Sequence, residues 1–112
     1  MGEYINGEKN GEGAEFNKEG QLIYNGQYVN GKREGKGNEY LGEKYLIYEG
    51  EFLNGERNGK GYEYYRNGNL KFSGQYLYGK IWNGISYSYN RLENYQINNG
   101  KGYINEYNFY GK

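Results

Sequence analysis

The sequence predicts an all-β protein, a single elongated and twisted antiparallel sheet of stacked β-hairpins. Three observations predict it: a unit that recurs with a step of 24 residues, strict alternation of side-chain type within each unit, and Asn-Gly pairs at a fixed phase. Leu22, Leu46 and Leu70 share a phase, as do Tyr24, Tyr48 and Phe72, and Gly26, Gly50 and Gly74. A period of this size marks a stacked array whose units cannot bury an apolar face alone. The 112 residues form one array, with repeats at 2–23, 24–47, 48–71 and 72–94 and a degenerate one at 95–112.

Each repeat opens on a strand. Leu22-Tyr24-Gly26-Tyr28, Leu46-Tyr48-Gly50-Phe52 and Leu70-Phe72-Gly74-Tyr76 occupy alternate positions, the mark of a half-buried strand. The intervening residues (Ile23, Asn25, Gln27, Val29; Ile47, Glu49, Glu51, Leu53) are mixed and predict the wetter face. A mid-strand glycine is costly unless something packs closely over it, and the expected occupant is an aromatic ring from a neighbouring strand. Gly26, Gly50 and Gly74, with Gly35, Gly37, Gly59 and Gly61, are therefore read as structural.

Asn6-Gly7, Asn30-Gly31 and Asn54-Gly55 follow as turns, since both residue types tolerate positive φ. A second strand follows each turn, read as 35–40 and 59–64. A polar link such as Tyr65-Arg66-Asn67-Gly68-Asn69 returns to the next leucine. No segment has helical periodicity, and the absence of proline suits uninterrupted ladders. After Gly79 the pattern departs: Ile81-Trp82-Asn83-Gly84 replaces the usual glycine spacing, and the second strand is placed at Tyr87-Ser88-Tyr89. A short strand near Tyr95-Gln96-Ile97 and a turn with a strand over Asn98–Tyr103 resume it. The ends, Gly2 and Tyr110-Gly111-Lys112, fall at repeat boundaries, so the expectation is a segment or short member of a longer array.

Tyr48-Glu49-Gly50-Glu51-Phe52-Leu53-Asn54-Gly55-Glu56-Arg57-Asn58-Gly59-Lys60-Gly61 resembles the MORN repeat, in a variant with a step of 24. The resemblance is strong over 24–80, good over 2–23 and degenerate over 81–112. It implies a single twisted sheet of stacked hairpins with a groove along one face. It also implies a scaffold or linker role, often dimeric, with phosphoinositide binding as a proposed property of the family.

Composition narrows the function. The formal charge is zero, from 14 basic residues and 14 glutamates, which gives no support to nucleic-acid binding. The chain has no Cys or His, and it also lacks Asp and Thr, so no nucleophile–histidine set and no transition-metal site is expected. A Glu pair at Glu49, Glu51 or Glu56 suits acid–base chemistry only in principle. The reading is non-enzymatic, with no cofactor. Gly31–Gly37 has the outline of a phosphate loop, but it lacks Ser or Thr after Lys36 and recurs at Gly55–Gly61, as repeat chemistry does. No leader-like run opens the chain, no stretch reaches the roughly 20 apolar residues of a membrane span, and the missing cysteines fit a cytoplasmic location.

Two candidate surfaces remain. Tyr24, Tyr28, Tyr48, Phe52, Phe72 and Tyr76, with Tyr4 and the unique Trp82, form an aromatic ladder that is read as core and, in part, as a partner groove. Lys32, Arg33, Lys36, Arg57, Lys60 and Lys80 (with Lys9) are read as a basic edge for anionic lipid, though Glu8, Glu12, Glu34 and Glu56 dilute it. The expected function is a non-catalytic scaffold for protein interaction, with self-association through open sheet edges; the alternative is a peripheral membrane module reading phosphoinositides.

Overall fold

A computed structural model describes residues 2–5, 8–42 and 44–104 of the chain. Ten strands lie side by side in sequence order, each antiparallel to the next. They are β1 (Gly2–Ile5), β2 (Glu8–Phe16), β3 (Leu22–Val29), β4 (Lys32–Leu41) and β5 (Tyr45–Leu53). β6 (Glu56–Tyr64), β7 (Leu70–Leu77), β8 (Lys80–Tyr87), β9 (Asn94–Asn98) and β10 (Lys101–Ile104) complete the sheet. Its extents of 54 × 28 × 17 Å are those of a slab one sheet thick. Ten strands at about 4.8 Å spacing account for the long axis.

Hairpin turns set the register. Asn30-Gly31, Asn54-Gly55, Tyr78-Gly79 and Asn99-Gly100 all have positive φ at both residues, the two-residue turn whose twist matches that of its strands. The turns are also tied sideways. Gly31 N–H donates to the Lys9 carbonyl, Gly55 to Arg33 and Gly79 to Arg57, at 2.8–2.9 Å. The preceding turn residue is held by a side chain of the previous hairpin: Asn30 N–H by Asn10 Oδ1, Asn54 by Glu34 Oε1, and Tyr78 by Asn58 Oδ1. Each hairpin is therefore locked to the one before it.

A row of glycines crosses the sheet. Gly13, Gly26, Gly37, Gly50, Gly61, Gly74 and Gly84 are successive register partners from β2 to β8. Rings lie across this row on one face: Tyr24 over Gly26 and Gly37, Tyr48 over Gly50 and Gly61, Phe72 over Gly74 and Gly84. Tyr24, Tyr48 and Phe72 are fully buried, with Tyr28, Phe52 and Tyr76 packed edge-on between them at centroid distances of 5.3–5.5 Å. Among the described residues these six rings are the core. The sheet needs no second layer because the missing glycine side chains let the rings lie flat on its backbone.

Two expectations are corrected. The ladders are interrupted, since register shifts occur in every pairing from β1–β2 to β7–β8. In β4 and β6 the extra residues surround Gly35 and Gly59 at φ of 86° and 96°, where the Lys36 and Lys60 N–H groups donate to Gln27 Oε1 and Glu51 Oε1. The second strand of the fourth repeat is Lys80–Tyr87, so Ser88 and Tyr89 fall in the following link. Gly84 pairs with Gly74 and Ile81 with Tyr76, so this bulge is one residue shorter and the strand continues through it. The expected turn and strand after Asn98 are present as Asn99-Gly100 and β10. Tyr110-Gly111-Lys112 lies outside the described residues.

Candidate functional site

The two faces of the sheet differ in chemistry. On the ring face a line of charges runs over the core. Arg33 donates through Nε and Nη2 to Glu15 and through Nη1 to Glu39, at 2.8–3.0 Å. Arg57 does the same one repeat later, to Glu39 at 2.8 Å and Glu63 at 2.9 Å. Each guanidinium also lies over a ring, Arg33 on Tyr24 and Arg57 on Tyr48, at 4.2 Å. The ends are closed by hydroxyls: Tyr28 donates to Glu15 at 2.7 Å and Tyr76 to Glu63 at 2.6 Å.

The ionisation states follow from this geometry. The hydrogen bonds from Arg33, against the cost of burial, hold the Glu15 carboxyl below its ordinary range. Burial opposes the charge on Arg33 and Arg57, yet the glutamates outweigh it and raise both. Burial pushes Tyr24 up to about 12 and raises Tyr28, Tyr48 and Tyr76 further, with the Glu15 and Glu63 bonds adding to the effect at Tyr28 and Tyr76. These groups are held in one state near neutral pH and serve structure rather than proton transfer.

This arrangement redistributes the candidate residues. Tyr24, Tyr28, Tyr48, Phe52, Phe72 and Tyr76 are at most 4% exposed, so they line no open groove. Trp82 is half-buried, its ring 3.4 Å from the place a side chain on Gly100 would take. The six basic residues do not share an edge. Arg33 and Arg57 lie on the ring face with their charges matched by glutamate, Lys36 and Lys60 are on the opposite face, and Lys32 and Lys80 flank the turns. Lys9 bonds the Ala14 carbonyl and sits over Tyr28. Alternation sends neighbours such as Lys32 and Arg33 to opposite faces, which grouping by chain position overlooks.

Glu15, Glu39 and Glu63 were missed at the sequence level, although they keep the same step of 24 and pair across strands with Tyr24, Tyr48 and Phe72.

On the opposite face an open groove of about 630 Å³ follows the glycine row. Gly26, Gly37 and Gly50 form its floor. Asn25, Asn38, Glu49 and Tyr62 stand along one side, with Gln27, Lys36, Glu51 and Lys60 along the other. Two carboxylates here are engaged by neutral donors, Glu49 by the Tyr64 hydroxyl at 2.7 Å and Glu51 by the Lys60 N–H. Amides, ammonium groups and a 43%-exposed Tyr62 are thus presented to solvent. Among the described residues no cluster of His, Cys, Asp or Glu is placed to hold a metal ion, and no helix is long and apolar enough to cross a membrane.

The comparison with known families agrees with the fold. The sequence model of the MORN repeat matches residues 1–15, 24–41 and 48–70, half of the chain. The chain belongs to the MORN repeat family. No curated protein matches it. The matched segments contain the ladder arginines' partners Glu15, Glu39 and Glu63, so the MORN units coincide with the electrostatically linked hairpins. The unmatched region from residue 71 onward includes Ile81, which pairs with Tyr76 where Arg57 pairs with Phe52.

Proposed function

We propose that this MORN array is a non-catalytic scaffold module that holds a protein partner along the polar face, over the glycine row. The observation that carries the reading is the division of labour between faces: one is consumed by the rings and their matched charges, while the other keeps a long open groove lined by amides, ammonium groups and carboxylates. A groove of this kind offers hydrogen bonds along its length and charged contacts of both signs, with Lys36 and Lys60 two strands apart and Glu12, Glu49 and Glu51 among them. The absence of a nucleophile–histidine set from the sequence supports a binding rather than a chemical role.

Site-specific photo-crosslinking in the cells of origin tests the reading. A photoreactive residue replacing Tyr62 should give one or a few discrete protein adducts. The same residue replacing the turn residue Tyr78 should give none of them. Adducts of equal pattern from both positions, or none from Tyr62, would reject the groove. Flotation with phosphoinositide vesicles separates the membrane alternative: binding at physiological salt that disappears on neutralising Lys32, Lys36, Lys60 and Lys80 would replace the scaffold reading.

A further inference from the structure

Three cations stand against aromatic rings on the side of the sheet opposite the hairpin turns. Arg66 stands over Tyr45 at 4.9 Å, Lys71 over Tyr65 at 5.5 Å and Arg91 over Tyr87 at 5.4 Å. None of the three makes an ion pair among the described residues. Arg66 and Lys71 border a cleft of about 420 Å³ between the links. Its apolar lining is Leu41 and Ile47, and its aromatic lining includes Tyr65 and Tyr89, stacked edge-on at 5.1 Å. Leu41 is 47% and Tyr89 57% exposed, so apolar surface lies open within a positively charged rim. Glu63 also reaches the cleft, but its charge is already matched by Arg57.

We propose that this cleft is a second interaction site, separate from the groove, and that it takes an acidic linear peptide segment with one bulky apolar residue. The apolar residue enters between Leu41, Ile47 and Tyr89, and flanking carboxylates reach Arg66 and Lys71. Charge complementarity selects the occupant: the rim is cationic in a protein of zero formal charge, and Arg66 and Lys71 make no ion pair among the described residues. Holding each cation against a ring limits its rotamers before binding and so reduces the ordering cost of an ion pair. A concave site suits a single side chain better than a flat bilayer surface.

Fluorescence anisotropy tests this with labelled nonapeptides Ser-Glu-Glu-Glu-X-Glu-Glu-Glu-Ser, X being Leu, Phe or Trp. At least one should bind, and both the X-to-Gly peptide and the peptide with Gln in place of Glu should bind about tenfold more weakly or worse. The R66E/K71E variant should lose binding by a similar factor, while K32E/K80E should retain it. Circular dichroism checks folding, with R66Q/K71Q as the milder pair if charge reversal disturbs the sheet. K36A/K60A, which alters the groove, should leave peptide binding unchanged, so the two sites fail separately. No binding by any of the three peptides, indifference to R66Q/K71Q, or equal binding of the X-to-Gly peptide would overturn the proposal. So would preferential binding to phosphatidylserine vesicles, which would identify the rim as a membrane contact.

Discussion

The guanidinium of Arg57 lies 4.2 Å from the Tyr48 ring centroid and bonds Glu39 of the preceding repeat and Glu63 of its own. Arg33 repeats the arrangement 24 residues earlier, on Tyr24 with Glu15 and Glu39. Glu39 therefore receives both arginines, and the line Glu15–Arg33–Glu39–Arg57–Glu63 joins three hairpins. Removing Arg57 as R57M keeps an apolar stem over Tyr48 but leaves Glu63 without its cation and Glu39 with Arg33 alone. The expected cost is about 2 kcal/mol, below that of a fully buried pair because roughly a fifth of each side chain meets solvent. Urea denaturation measures it. E39Q in the R57M background should cost less than E39Q alone; simple additivity would mean that the line is not a coupled network.

The glycine row makes a steric prediction. A methyl group at Gly37 would fall on the hydroxyl and ring edge of Tyr24, which is fully buried and has no room to withdraw. G37A should cost about 3 kcal/mol, at the upper end for overpacking. Gly55 has open space around it but a φ of 89°, so G55A carries backbone strain alone, on the order of 1 kcal/mol. Thermal unfolding of the two variants should separate them clearly. Equal losses would show that turn geometry, not ring contact, sets the need for glycine in this sheet.

The array, its hairpins and the rings over glycine were legible because each rests on a local rule repeated at a fixed step. Asn-Gly supplies the turn, alternation supplies the face, and a mid-strand glycine implies an overlying ring. The fate of the basic residues was not legible in that way. Lys32, Arg33 and Lys36 lie close together in the chain, but alternation and the bulge at Gly35 send them to different surfaces. The partners of Arg33 lie 18 and 6 residues away, on two different strands, a relation that emerges only once register is known. The cleft between the links depends in the same way on Leu41, at the end of β4, and on Tyr65 and Tyr89, in the links after β6 and β8.

Tyr78 occupies the turn position held by Asn30, Asn54 and Asn99 in the other hairpins, with φ of 48° and 67% of its surface exposed. A bulky residue is disfavoured there, whereas asparagine tolerates the left-handed conformation. Y78N should stabilise the protein by about 0.5–1 kcal/mol, since little ring burial is lost. Its N–H would still reach Asn58 Oδ1, now 2.8 Å away, because residue 78 contributes only its backbone N–H to that bond. A rise in the urea midpoint with an unchanged slope is the expected result. A fall would mean that the Tyr78 ring contributes packing that its exposure conceals.

The core tyrosines predict how the sheet fails at high pH. A phenol is neutral when protonated, and burial raises Tyr24 from 10.0 to about 12, with Tyr28, Tyr48 and Tyr76 raised in the same direction. Their contribution is fully present below pH 10.0 and is lost as pH climbs toward the folded values, because the unfolded chain releases these protons first. Tyrosinate absorbance should therefore rise in two phases, the second coinciding with loss of the circular dichroism signal of the sheet. Tyr48 offers the sharpest check, since Phe72 fills the equivalent place one repeat later and the Tyr48 hydroxyl makes only a 3.1 Å bond to the Glu51 carbonyl. Y48F should change stability at pH 7 by no more than about 1 kcal/mol. The same substitution should move alkaline unfolding to higher pH, because one buried titrating group is gone. An unmoved alkaline midpoint would assign that transition to deprotonation elsewhere and detach it from the ring core.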